Sequence, residues 1–328
     1  MIWQALMQNH KSLDTRAAGG SALDSTPAPL RLSEVWSGKL PSSKCIFSVD
    51  VEDWFHILDV PSTPPISEWD GLPSRVEKHL LKLLDIFAEK NTHVTCFFLG
   101  WVAQKFPHLV REAIKRGHET ASHGYGHRLA YRMTRQEFLA DAKKSKMIIE
   151  DATGRPIWGY RSAGFSVTED TPWFFEMLME AGYRYDSSVF PAPRGHGGLK
   201  GGQLRPFLHR GSRQSLVEFP ITVKRVFGKP ICFCGGGYLR FFPYFLIRRM
   251  TRQVLADGRP VIFYVHPREI DPHHPRLPMR FMRKFKSYVN LRSTEVKIRR
   301  LLSEFELTTF GRFIEESPEL SQANGHEE

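Results

Sequence analysis

The chain has 328 residues, 41% apolar and 25% charged, which is ordinary for a globular protein and enough to bury one large core or two smaller ones. Its longest apolar runs, such as Val261-Ile262-Phe263-Tyr264-Val265, are far too short to span a bilayer. Met1 to Met7 lacks the basic start and apolar stretch of a secretory leader, and Cys45, Cys96, Cys232 and Cys234 follow no zinc or disulfide framework, so the cytoplasm is the expected compartment. A net charge of +11 admits nucleic acid, anionic lipid or an acidic polymer as partner. The basic stretch from Arg276 to Arg300 carries no nucleic-acid-binding signature, so no nucleic acid is expected and the stretch reads as a solvated face.

Residues 1–43 hold Gly19-Gly20 and Ser/Pro punctuation without a sustained period, and read as irregular. Lys44 to Asp50 reads as a buried strand ending in the carboxylates Asp50, Glu52 and Asp53. Leu80, Leu81, Leu83, Leu84 and Phe87 predict a helix over 76–90. His93 to Leu99 is the next strand, and residues 104–116 the next helix, stopped by Gly117. Glu119 to Ser122 is a short strand delivering His123. Thr134 with Glu137 three residues later is a capping box for a helix running to Thr153, ended by Gly154. Ile157 to Arg161 is another strand and Pro172 to Ala181 another helix. This alternation predicts an α/β fold with a parallel sheet, and Asp50, His123, Arg161 and His266 all fall at strand ends.

His123-Gly-Tyr-Gly-His127 places two histidines four apart. With one carboxylate from the acidic cluster they make a neutral-nitrogen, anionic-oxygen set that suits a divalent metal with an open coordination position. Strand alternation puts Asp50 and Glu52 on one face, whereas a turn starting at Val51 would present Asp53 instead.

In order, Ser48-Val-Asp-Val-Glu-Asp-Trp54, Ser122-His-Gly-Tyr-Gly-His127, Tyr160-Arg-Ser-Ala-Gly-Phe165 and Tyr264-Val-His-Pro267 resemble the polysaccharide deacetylases, the NodB-homology proteins of carbohydrate esterase family four. Asp50 to His56, Gly235-Gly236-Gly237-Tyr238, Phe263 to Glu269 and Tyr288 to Thr294 look like the branch found in exopolysaccharide loci with an exosortase. The resemblance covers residues 44–313. It implies a distorted (β/α) barrel with fewer than eight full units, and removal of N-acetyl groups from amino sugars by a divalent metal, zinc foremost.

Carried over residue by residue, it makes His123 and His127 metal ligands, Asp50 the general base, Arg161 the arginine that orients it and His266 the general acid. The acidic ligand leans to Asp53, with Glu52 close behind, because the family's usual ligand is aspartate. Trp54, Tyr125 and Phe165 flank the site and could stack on sugar rings. Asp186 falls where the family supports its catalytic histidine. Gly235-Gly236-Gly237 is expected to allow close backbone approach near the substrate groove.

The expected organisation is an irregular segment 1–43, a catalytic barrel 44–275, a basic extension 276–314 packed on it and an acidic flexible tail 315–328. The expected partner is an N-acetylated polysaccharide or a lipid-linked glycan, with peripheral contact to the inner membrane through Arg280, Arg283, Lys284 and Lys286. The rival readings are an amidohydrolase of a small cyclic imide or ureide, and an inactive glycan-binding barrel.

Overall fold

The computed structural model describes residues 44–321 except 59, 194–196, 212–213 and 319; the expected irregular segment and most of the expected tail lie outside the described residues. β1 (Cys45–Val51) is buried at every position, which is why it reads as a continuous apolar run rather than an alternating one. Its carboxyl end turns directly into the 3-10 turn Trp54–His56.

The following elements alternate as expected: α1 (Val76–Ala88), β2 (Thr95–Phe98), α2 (Gly100–Lys105), α3 (Pro107–Lys115), β3 (Glu119–Ser122), α4 (Arg135–Thr153), β4 (Gly159–Tyr160), α5 (Phe174–Glu180) and β5 (Tyr185–Asp186). The helix expected over 104–116 is two helices, because Pro107 cannot donate a backbone hydrogen bond and instead opens α3. α4 begins at the expected capping box, with Thr134 and Glu137 bonding each other's backbone, and ends at Gly154 in the left-handed region.

The second half is more broken. It contains β6 (Phe207–Arg210), β7 (Ser215–Glu218), β8 (Val223–Val226), β9 (Lys229–Cys232), α6 (Gly236–Phe241), α7 (Tyr244–Ala256), β10 (Val261–Val265), α8 (Phe281–Tyr288), α9 (Thr294–Glu304), β11 (Leu307–Thr308) and α10 (Phe310–Glu315).

The main sheet runs β10-β1-β2-β3-β4-β5-β7-β6, parallel throughout except for β6 on β7. Between its two ends the closure is irregular. Ile262 N donates to Thr222 Oγ1 at 2.9 Å, Tyr264 N donates to the Cys234 carbonyl at 3.2 Å, and Gly235 bridges Tyr264 in parallel. The result is the expected distorted (β/α) barrel with fewer than eight full units.

The segment after 275 returns to this sheet. β2 pairs β1 only from Ser48 onward, and β11 takes the two free positions at the start of that edge, Cys45 and Ile46. Lys297 of α9 donates to the carbonyls of Leu239, Arg240 and Phe242, satisfying the open C-terminal end of α6. The expected tail does not begin as a loose one: Glu315 ends α10, Glu316 pairs with Lys44 at 2.7 Å, and Ser317 and Leu320 are buried.

Candidate metal centre and active site

Parallel strands present their carboxyl ends on one side of the barrel, and Asp50, Glu52, His123, Arg161 and His266 all project from that edge. Ligand atoms of Glu52, His123 and His127 lie within 4.8 Å of one another, and all three residues are buried. His123 Nδ1 is 2.9 Å from the Arg161 carbonyl, which can only accept, so Nδ1 carries the proton and Nε2 is left as a lone pair. His127 Nε2 faces Glu52 Oε2 at 2.7 Å. Two lone-pair atoms at that distance require a proton or a cation between them, so this donor set fits a divalent ion.

The loop carrying both histidines is held by a residue that sequence reading missed. The Asp141 carboxylate on α4 accepts Tyr125 N at 2.7 Å and Gly126 N at 3.2 Å. The Gly124 carbonyl accepts Gly100 N and Ser145 Oγ. His127 sits at φ +51°, a region costly for a residue with a Cβ, and this network holds it there.

The lean toward Asp53 is corrected by the geometry. Asp53 Oδ1 accepts Trp54 N, while Oδ2 accepts Ser74 Oγ, Arg75 N and Val76 N at 2.6, 2.8 and 3.1 Å. Both oxygens are therefore spent capping the 3-10 turn Trp54–His56 and the start of α1. Glu52, on the same strand face as Asp50, takes the position among the histidines. Burial would raise its pKa, but His127, His266 and Arg268 outweigh it and keep the carboxyl well below the usual range.

Asp50 Oδ1 receives Arg161 Nη1 at 2.6 Å, and the same nitrogen donates to Ser48 Oγ at 2.7 Å. Arg161 is fully buried, with its guanidinium 4.2 Å over the Phe97 ring and its Nε bonded to the Ser187 carbonyl. His266 Nε2 lies 3.1 Å from Glu52 Oε1 and 3.8 Å from Asp50 Oδ2. Burial, aided by Arg268, pushes His266 down to about 4 against the pull of these carboxylates. Glu269 Oε2 accepts the His266 backbone N–H at 3.2 Å and sits 3.5 Å from Nδ1, while Oε1 pairs with Arg240 of α6.

Glu269 thus occupies the supporting place expected of Asp186. Asp186 instead bonds Ser188 and shares a buried position with Glu218, whose carboxylate accepts Val189 N.

Of the expected sugar-stacking residues, Trp54 is 6% exposed and donates to the Pro73 carbonyl, and Phe165 is 4% exposed with its ring 4.9 Å from Tyr264. Both pack in the core, which corrects that reading for them. Tyr125 is partly exposed, bonds Gln104 and carries Lys144 over its ring at 3.3 Å. The glycines also approach protein: a Cβ on Gly235 would sit 2.0 Å from Tyr264, and one on Gly237 would sit 2.7 Å from the Lys286 carbonyl.

Residues 68–185 match the family model described as polysaccharide deacetylase, and residues 187–315 match that of a domain of unknown function, DUF3473. The second match starts within the barrel, at the residue after β5, and runs on through the basic extension. A peptidoglycan-N-acetylglucosamine deacetylase of Bacillus cereus is 26% identical over 103 residues, 31% of this chain and 46% of its own length. The chain therefore spans less than half of that relative.

Among solved structures, a candidate polysaccharide deacetylase from Mycobacterium smegmatis gives a TM-score of 0.58 at 18% identity, over 90% of this chain and 96% of that one. The PuuE allantoinase gives 0.56 at 16% identity, over 89% and 97%. At these identities the likeness is one of fold, which the candidate polysaccharide deacetylase and the allantoinase share.

Proposed function

Because residues 68–185 match the family model described as polysaccharide deacetylase, we propose that the chain is a metal-dependent N-deacetylase of amino sugars in a glycan. The observation that carries this is the gathering of Glu52, His123 and His127 beside an Arg161-bound Asp50 and a histidine, His266, supported by Glu269. Glu52, His123 and His127 would hold the ion, zinc foremost; when bound it acidifies a water and polarises the amide carbonyl.

The chain's own groups do the rest. Arg161 occupies Oδ1 of Asp50, which leaves Oδ2 to take the proton of the attacking water. Asp50 Oδ2 is 3.8 Å from His266 Nε2, so that proton has a short path to the imidazole. A buried imidazole that is neutral at rest must be charged in this way before it can donate to the departing amine. Glu269, bonded to the His266 backbone N–H and 3.5 Å from Nδ1, would pair with the charged imidazole.

The finer reading is an N-acetylated exopolysaccharide or its lipid-linked precursor as substrate, handled in the cytoplasm at the inner membrane. What supports it is the likeness of the segments Asp50 to His56 and Phe263 to Glu269 to that branch.

Zinc-reconstituted protein should carry about one ion per chain. His123→Ala and His127→Ala should each abolish stoichiometric metal; full metal in both variants defeats the assignment. Acetate release from N-acetylglucosamine oligomers, with none of the corresponding turnover on small cyclic ureides, separates this reading from the amidohydrolase.

A further inference from the structure

Two stretches, residues 235–256 and 272–294, contain no Asp or Glu, yet carry four arginines and six lysines or arginines respectively. The fold brings them together. Arg240 of α6 donates to the carbonyls of Lys286, Ser287 and Val289 at the end of α8, and the Phe241 and Phe285 rings lie 6.1 Å apart. Apolar side chains stand outward there: Phe281 is 79% exposed, Phe245 62%, Phe241 43% and Phe285 40%. On α7, Phe245, Arg248, Arg249 and Arg252 share one helical face and line a shallow groove, while Ile247, Met250, Thr251 and Val254 turn inward.

This surface lies beside the candidate site. Gly235, immediately before α6, bridges Tyr264, two residues ahead of His266, and Arg240 pairs with Glu269. Arg283 of α8 donates to the Leu58 carbonyl, just past the acidic cluster of β1.

We propose that α6, α8 and the exposed face of α7 form an interfacial surface that seats the rim of the site on an anionic phospholipid bilayer. Exposed phenylalanines interleaved with arginine and lysine match the two halves of such an interface: neither stretch contains a carboxylate, although Glu304 of α9 reaches Arg248 at 3.9 Å and Glu269 pairs with the buried Arg240. The rings enter the acyl boundary and the cations meet lipid phosphates. An anionic glycan would leave the phenylalanine faces against polar hydroxyls, and a protein partner would need a face both apolar and acidic, whereas an anionic bilayer offers both layers by itself. The docking itself stands apart from the deacetylase reading; only the consequence, a site facing lipid-borne glycan, rests on it.

The full chain should co-sediment with vesicles of equal parts phosphatidylcholine and phosphatidylglycerol, not with phosphatidylcholine alone, and should come off as salt is raised. Phe281→Ser with Phe285→Ser should weaken partition about tenfold per ring, from the apolar burial lost. Acetate release from a short soluble oligomer should be unchanged. Arg280→Glu with Lys284→Glu should weaken partition at least about fivefold per residue. A Phe281→Trp variant should blue-shift on vesicle addition.

Equal binding to both vesicle types, or full binding by the double phenylalanine variant, overturns the proposal. So does a lipid-free dimer that the same phenylalanine substitutions dissolve while no vesicle binding is seen. Vesicle binding without acetate release would sink the deacetylase reading alone.

Discussion

The two halves of the barrel are built differently and supply different chemistry. From β1 to β5, strands alternate with helices and offer the two histidines, Glu52, Asp50 and Arg161. From β6 onward, short strands, an antiparallel pair and irregular closure supply His266, Glu269 and Arg240. A regular βα frame places groups that must converge on a point, because each strand end is fixed by neighbours on both sides. The second half instead supports one histidine through a turn and a buried ion pair. Substitutions of the first half's candidate ligands should therefore strip metal, and those in the second half should spare it.

Glu52→Gln should lose both metal and activity with the fold intact. Asp53→Asn should keep metal and lose about 0.5–2 kcal/mol of stability, the range for a lost helix cap. Elemental analysis and thermal unfolding of the pair test the contrast; metal lost from Asp53→Asn and kept in Glu52→Gln would reverse it. Next, His266→Ala should keep full metal yet cut turnover by about 10²–10⁴. A metal-free His266→Ala protein would erase the distinction between the halves.

Acid and base should also act in opposite directions on His118, inside the first half, and on the Asp186–Glu218 pair, which joins the two halves. His118, before β3, accepts Val94 N, and burial pushes it down to about 4. Its folded pKa lies below the unfolded one, so its contribution is complete above about 6.5 and is lost as pH falls toward 4. The shift corresponds to at most about 3 kcal/mol. Asp186, which shares its site with Glu218, is raised to about 6 by burial, and Glu218 is pushed well above the usual carboxylate range. That contribution is present below about 4 and is lost as pH rises through about 6. Denaturation of His118→Gln should show a shallower decline in acid, and Asp186→Asn a shallower decline from pH 4 to 7; unchanged slopes would remove both groups from the balance. Lys297→Met, far from the candidate ligands, frees three carbonyls and should cost about 1–3 kcal/mol with metal untouched.

The first half was legible because its signals are local: the capping box at Thr134, the stop at Gly154, the apolar face of α1. Glu52 was also within reach, since strand alternation places it beside Asp50. What hid it was Asp53, whose partners Ser74, Arg75 and Val76 lie more than twenty residues away and show no sequence mark. Asp141 looks like any polar residue in a helix; only the folded loop reveals its two amide bonds. β6 to β9 gave no period, because four-residue strands such as Phe-Leu-His-Arg, at the margin of the main sheet, and Val-Lys-Arg-Val, in a separate two-stranded sheet, carry charges. Trp54 and Phe165 misled for a simpler reason: an aromatic beside a catalytic motif looks the same whether it faces a sugar or the core.

Phe310 begins the last described helix, yet its ring stacks on Tyr185 at 5.5 Å and lies 5.7 Å from the Arg161 guanidinium and 5.6 Å from Phe97. The floor beneath Arg161 is thus laid by residues synthesised long after His127, the last candidate metal ligand. A nascent chain that has released every candidate metal ligand still lacks that floor, and β1 still lacks β11 on its open edge. Synthesis order therefore delays an ordered site until residue 310 has been made, so a product terminated before it would carry the motifs without the pocket that orders them.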